Sequence, residues 1–327
     1  MSEQVIGRDE IDQLAEAGDF NAEQREIALL VAGVSPNAAQ WNQFLGRVFL
    51  TFGVTLLVAA VGYFVAYNWD AMGRFAKFAL LEAAVVAAVV GAVFFVPGDI
   101  RARTALLAAV LLTGPLLAFV GQTYQTGADS YELFRAWALL ALSWVVVARW
   151  RVLWCFWLLV ANAAIGLYFA EVRWSMIGSV YVQHGALAHL VANALFLVAI
   201  EWLGRDRLTG AGRSAERLAL AFVIGSATFL YLHFQFESRE RVFWTLPLSL
   251  AVFAAVWCWY RLKQIDLVAL AMWSCAGIAM TVATVGRALF VVHADWLAFL
   301  VVGGTIIGLS ASAAAWLRRL NKTAGAA

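Results

Sequence analysis

Charge is scarce in this chain. Asp, Glu, Lys and Arg make up 13% of its 327 residues, where an ordinary soluble domain carries about a quarter. With 63% hydrophobic residues and a mean hydropathy of +0.79, that shortage argues against a soluble fold. One core would have to hide every apolar run, and the links are too short for strand–helix alternation. Cysteine is equally sparse. Cys155, Cys258 and Cys275 all fall within apolar runs and lack the paired spacing of a metal site, so each is expected to be a small buried hydrophobe. The formal net charge of +2 implies no nucleic-acid partner. The N terminus has no basic segment leading into an apolar core: its first 44 residues hold eight acids against Arg8 and Arg25. No cleavable signal peptide is expected, and the first spanning helix serves as the insertion signal. Phosphate-binding loops, nucleophile elbows, triad spacings and HExxH are also missing, so no cofactor is expected and an enzyme is the third-ranked reading.

What fills the chain instead is ten apolar stretches, each near the 17–25 residues that a helix needs to cross a bilayer core. They fall at 45–66, 76–96, 104–122, 133–148, 152–170, 185–203, 218–236, 242–260, 266–286 and 296–316. The expected fold is an all-α, polytopic membrane bundle in three parts: an acidic helical extension (1–44), a ten-helix transmembrane domain (45–316) and a tail (317–327). Within the extension, Ile11, Leu14 and Ala15 give one helical face, with Gly18 at its end. Asn21 caps a second helix with Ile27, Leu30 and Val31 on its apolar side. Ser35-Pro36 opens a third that runs through Trp41 into the membrane. Helices this short cannot form a core alone, so residues 1–44 are expected to lie on the membrane domain or on a cytoplasmic protein partner.

Basic residues in the links set orientation, because Lys and Arg resist translocation. The side holding both termini carries fourteen of them, the opposite side seven. Both termini are therefore expected in the cytoplasm, in agreement with an even number of spans, and the membrane is expected to be a bacterial inner membrane.

Polar residues concentrate toward the opposite, outward side, where all four histidines fall (His184, His189, His233 and His293). Without metal-site spacing they do not read as a zinc centre. Glu82 is the sharpest position, about two turns inside an apolar run. An ionisable group there costs on the order of 2.5–3.5 kcal/mol on insertion scales and marks a functional candidate. It is expected to face inward, toward Arg287, His189 or His233. His189 and Asn193, four apart, share one helix face; they could bind a ligand or join two helices. Gly114-Pro115 should kink its helix. The following Gly121–Asp129 stretch, with Gln122, Tyr124 and Asp129, has the composition of an irregular segment lining a cavity, or of an interfacial loop. The cluster Trp154, Cys155, Phe156, Trp157 reads as lipid-facing or packing surface.

Two groups of residues carry a family resemblance. Tyr67-Asn68-Trp69 closes the first membrane helix, with Lys77 eight residues after the Trp. Gly121-Gln122-Thr123-Tyr124 follows, then Gly127-Ala128-Asp129 and Trp137. With the short helical N terminus, this resembles the bacterial membrane-protein family catalogued as domain of unknown function 2157, over roughly residues 8–150. The family brings no established activity; the resemblance supports the topology and draws attention to Asn68, Trp69, Gln122 and Tyr124. The leading expectation is a membrane protein, bathed in membrane lipids, that binds or translocates a small solute or lipid through an outward-facing polar cavity. The alternative is a scaffold or regulatory subunit that recruits a cytoplasmic partner through its N-terminal helices.

Overall fold

The computed structural model describes residues 8–17, 21–125, 127–175, 179–210, 212–236, 243–291 and 295–325. His293 and Gly18 lie outside the described residues. Among those described there is no strand. The chain divides into two compact units, residues 1–63 and 64–327.

The first unit holds α1 (Arg8–Glu16), α2 (Ala22–Val31) and most of α3 (Ala38–Tyr67). Asn21 and Gln24 form a reciprocal capping box at the start of α2, satisfying N–H groups that a helix start leaves free. The same device starts α3. The Asn37 side chain accepts from the Gln40 N–H at 2.8 Å, and the Gln40 side chain accepts from the Asn37 N–H at 2.9 Å. Asn37 therefore caps α3, where Ser35 was expected, because only Asn37 has a Gln three residues on. On α2, Leu29 is buried, while Ile27, Leu30 and Val31 form an exposed apolar face. Arg25 holds α1 to α2 through Asp12, its Nε donating to Oδ1 at 2.8 Å.

Among its described residues the second unit carries the end of α3 and ten further helices: α4 (Arg74–Phe94), α5 (Ile100–Tyr124), α6 (Ser130–Ala148), α7 (Arg151–Ser175), α8 (Ser179–Leu203), the short α9 (Arg205–Leu208), α10 (Ser214–Phe236), α11 (Thr245–Cys258), α12 (Leu267–Val291) and α13 (Asp295–Gly325). A π-helical turn, Trp259–Lys263, extends α11. Ten helices, α3 to α8 and α10 to α13, are long and apolar enough to cross a membrane. The ten apolar runs coincide with them, ends shifted by a few residues as helix boundaries usually are.

Helix α10 is the centre of this unit, packing against α7, α8, α11 and α12. Alanine makes close helix approaches possible in this unit: Ala215 and Ala219 on α10, Ala141 on α6 and Ala269 on α12 are almost completely buried. Small residues let membrane helices approach and gain dispersion where lipid removes most of the hydrophobic drive. Tryptophan supplies the other joint. Trp137 donates its indole N–H to the Val110 carbonyl, Trp154 to that of Leu208, Trp157 to that of Ala138 and Trp273 to that of Phe253, at 2.7–2.9 Å. The Trp154–Trp157 cluster is thus packing surface. Cys258 and Cys275 are exposed on the apolar exterior rather than buried, since in a bilayer a small apolar side chain is as well accommodated by lipid as by protein.

Candidate functional site

Where the arginine-rich links gather, α8, α10 and α11 leave a cavity of about 570 Å³, within the range of small-molecule sites. Its form follows from how these helices end. Gly204, at φ +88°, stops α8 in a conformation that favours glycine, and α10 restarts at Ser214. Across the cavity, α11 widens into the π turn, closed by the Gln264 N–H on the Trp259 carbonyl at 3.0 Å. Such turns recur at functional sites. The wall toward the membrane interior is apolar, with Leu190, Leu197, Leu220, Val252 and Val256, while Glu201, Arg205, Arg213, Glu216, Arg217 and Asp266 line the other end.

Those charges are ordered by two carboxylates. Asp266 is all but sealed from solvent and does three things at once. Its Oδ1 accepts from the Val268 and Ala269 N–H groups at 3.0 and 3.2 Å, capping α12. Arg217 grips both of its oxygens at 3.1 Å, and Arg213 reaches Oδ2 at 3.3 Å. Burial pushes the Asp266 carboxyl up, but the bonds from Arg217, the Ala269 N–H and Arg213 outweigh it and hold the group below the usual carboxylate range. Glu216 sits in the first turn of α10, where an acid opposes the helix dipole. Its Oε1 accepts from Arg205 Nε. Its Oε2 is buried with no hydrogen-bond partner. At the rim, Glu201 accepts from Gln264 Nε2 at 3.4 Å, and Lys263 Nζ lies 3.9 Å from the Trp259 ring centroid. The charges nearly balance, so this end is a fixed array of ion pairs with one carboxylate oxygen left over.

None of the ten candidates named from the sequence lines this cavity. His189 and Asn193 do meet, in a polar joint between α7 and α8. His189 Nδ1 lies 2.7 Å from Asn162 Oδ1, and Asn193 Nδ2 donates to the same oxygen at 2.7 Å. Asn162 Nδ2 returns a bond to Asn193 Oδ1 at 3.2 Å. His233 Nε2 lies 3.2 Å from Gln183 Nε2, joining α10 to α8. Arg287 is half-buried on α12, with Nη1 buried and unbonded. Asp129 is an exposed residue at the N-cap of α6 without a side-chain cap bond. Helix α5 runs on through Gln122 to Tyr124, both exposed, so no irregular segment begins at Gly121. No helix breaker follows Pro115 there, and Gln125 in the left-handed region ends the helix by bonding the Gly121 carbonyl.

Glu82 requires a correction. It is exposed on α4 in line with Val86, Val90 and Val93, and forms no hydrogen bond or ion pair among the described residues. The helical period is the reason: Lys77 and Leu81, four apart, are the buried residues of α4, and position 82 lies about 100° around from Leu81. Glu82 therefore faces away from the interior of the unit rather than inward toward Arg287, His189 or His233.

Asn68 and Trp69 follow α3, both half-buried. Asn68 Nδ2 donates to the Phe64 carbonyl at 2.9 Å. Trp69 does more: its ring lies 3.8 Å from Lys77 Nζ and packs edge-on against Phe119, with centroids 5.5 Å apart. Phe78 continues this aromatic group between Phe119 and Tyr124, at 4.3 and 6.1 Å. Sequence reasoning missed Glu216 and Asp266 as site residues. An Asp directly before an apolar run is an N-cap signal and could have singled out Asp266.

Comparison with known proteins agrees with the resemblance. Residues 5–154 match the family described as "Predicted membrane protein (DUF2157)". No curated protein and no solved structure matches the chain.

Proposed function

We propose that this membrane protein binds an amphipathic small molecule, with an apolar body and a hydrogen-bond-donating head, in the cavity between α8, α10 and α11. The observation that carries the reading is the buried, unbonded Oε2 of Glu216 at the charged end of an otherwise apolar cavity. A buried acceptor left unpaired costs about 1–3 kcal/mol, more for a charged group. A hydroxyl or ammonium head would satisfy it while the chain lies along Leu190, Leu197 and Val252. In this reading the membrane is a bacterial inner membrane, and the arginine-rich end faces the cytoplasm by the distribution of basic residues. Nothing in the site resembles a nucleophile–base pair, so binding or handing on the amphiphile, rather than transforming it, is the proposed activity.

Two variants test this. Ala255 is an exposed residue on the cavity lining, so Ala255→Trp should plug the space without disturbing a packed core. Glu216→Gln should keep the volume and remove the acceptor charge. Dodecylamine is expected to raise the melting temperature of wild-type protein more than dodecanoate does. Each variant should weaken dodecylamine binding roughly tenfold, about 1.4 kcal/mol. Equal binding by wild type and Ala255→Trp would place the amphiphile elsewhere.

A second reading is favoured by the exposed Ile27, Leu30 and Val31 on α2. An apolar helix face without cover suits a protein partner, and the scaffold role at residues 1–44 rests on it. Deletion of residues 1–34 is expected to leave membrane insertion intact and to remove any co-purifying partner. Loss of insertion would show that the extension serves the membrane domain instead.

A further inference from the structure

We propose that the occupant of the cavity between α8, α10 and α11 is a membrane phospholipid whose head ends in a primary ammonium, an ethanolamine phospholipid, which enters sideways from the bilayer. This rests on the amphiphile reading of the same cavity. Helices α8 and α11 both pack on α10 but make little contact with each other, so the cavity is a cleft with α10 as its floor. Val198 and Trp202 of α8 and Ala255 of α11 line it and are exposed. In a unit of membrane-spanning helices, an apolar opening of that kind meets acyl chains. A lipid reaches it without crossing water. At the charged end the cleft is closed: Gln264 Nε2 donates to Glu201 at 3.4 Å, and Lys263 Nζ lies 3.9 Å from the same carboxylate.

The closed end complements a zwitterion. Both oxygens of Asp266 are in use, Oδ1 by the Val268 and Ala269 N–H groups and Arg217 Nη2, Oδ2 by Arg213 Nη1 and Arg217 Nε. Glu216 Oε1 accepts from Arg205 Nε, which leaves Oε2 as a buried acceptor without a partner. The guanidiniums have donors to spare. Among the described residues Arg205 donates only from Nε and Arg213 only from Nη1, and both side chains keep about a third of their surface open. Planar guanidinium forks suit the oxygens of a phosphodiester, and an ammonium on the same head can donate to Glu216 Oε2. A bond with charge on both sides is about twice as strong as a neutral one. A primary ammonium brings three N–H donors to that oxygen; the trimethylammonium of a choline head brings none. Arg205, Arg213 and Arg217 balance Glu201, Glu216 and Asp266 in the lining, and a zwitterionic head preserves that balance where an acidic one would not.

The test is native mass spectrometry of the full chain in detergent, with three probes of equal chain length: lauroyl lysophosphatidylethanolamine, lauroyl lysophosphatidylcholine and dodecylamine. Wild-type protein is expected to retain the ethanolamine lipid about tenfold or more over each of the others, since the choline lipid lacks the donor and the amine lacks the phosphate. Glu216→Gln should bring the two lipids close to equality by weakening the ethanolamine lipid alone. Ala255→Trp should reduce retention of all three. Equal retention of the two lipids by wild type, with both lost in Ala255→Trp, would overturn the ammonium assignment and leave the amphiphile reading standing. Retention of dodecylamine equal to that of the ethanolamine lipid would overturn the phosphate contact in the same way. Probes held equally by wild type and Ala255→Trp, or by neither, would sink both readings. An ethanolamine preference that persists undiminished in Glu216→Gln would also overturn the proposal. Should Glu216→Gln fail to fold, the wild-type ratio and its response to Ala255→Trp still decide the matter.

Discussion

Asp266→Ala is expected to be among the most damaging single substitutions in this chain. It removes the acceptor of Arg213 and Arg217 together with the cap of α12. Breaking a buried ion pair by deleting one partner costs about 3–5 kcal/mol, and loss of an Asp cap about 1 kcal/mol more. Both arginines keep some access to water, with side chains 31% and 41% exposed, so the total should fall near the low end, about 4 kcal/mol. Asp266→Asn keeps the cap and loses the charge, and should fall between the two. Melting of purified protein in detergent would rank all three. The pH dependence follows from the same contacts. Because the folded carboxyl is held below its usual range, folding binds fewer protons there than unfolding. The stability from Asp266 is fully present above the ordinary Asp pKa of about 3.9 and is lost as pH falls through the lower, folded value. The wild-type advantage over Asp266→Asn should therefore persist at neutral pH and shrink only in strong acid. An advantage that vanished above about pH 5 would mean that the pairs contribute little.

Gly114→Val is expected to have the second large effect. A Cβ at position 114 would stand 2.5 Å from Cη2 of Trp137 and 2.7 Å from two further indole carbons. The ring cannot simply swing away: its N–H is bonded to the Val110 carbonyl at 2.7 Å and its face meets Phe156, centroids 5.5 Å apart. That bond also lies beside the proline. Pro115 has no N–H for the carbonyl of Leu111, and the indole anchors the helix one residue earlier. Overpacking and loss of a buried hydrogen bond together should cost about 3 kcal/mol or more. Trp137→Phe gives up the bond and shortens the ring. Combined with Gly114→Ala it should be less destabilising than the sum of the two single changes, because both act on one contact. Strict additivity would show that Gly114 and Trp137 are not coupled.

How far the sequence speaks depends on which physical force wrote each feature. The spans were legible because backbone desolvation demands long apolar helices in lipid, and no other pattern produces ten such runs. Asn21 was legible because its capping box is local. Asn37 was misjudged for Ser35 because Ser-Pro is also a valid helix start, and only the partner at Gln40 separates the two. Glu82 failed for a deeper reason. In a soluble helix a polar stripe marks the outside, but on α4 both faces are apolar, so nothing local says which side Glu82 takes. The cavity at Glu216 was hidden in a different way. Its charged residues come from α8, α9, α10 and the links before α10 and α12, and Arg205, Arg213 and Arg217 carry an orientation signal that masks their role as ligands of Glu216 and Asp266. The His189–Asn193 spacing announced a shared face, but its third member, Asn162, sits on another helix and only the fold joins them.

The account turns on whether an amphiphile occupies the space between α8, α10 and α11. The most direct measurement is a high-resolution electron-microscopy map of the full chain, extracted and held in native membrane lipid. The predicted result is continuous, elongated density along Leu197, Val252 and Val256, ending in a head group within hydrogen-bond distance of Glu216 Oε2. An ordered water on that oxygen with no chain density beside it, or side chains closed over the cavity, would contradict it.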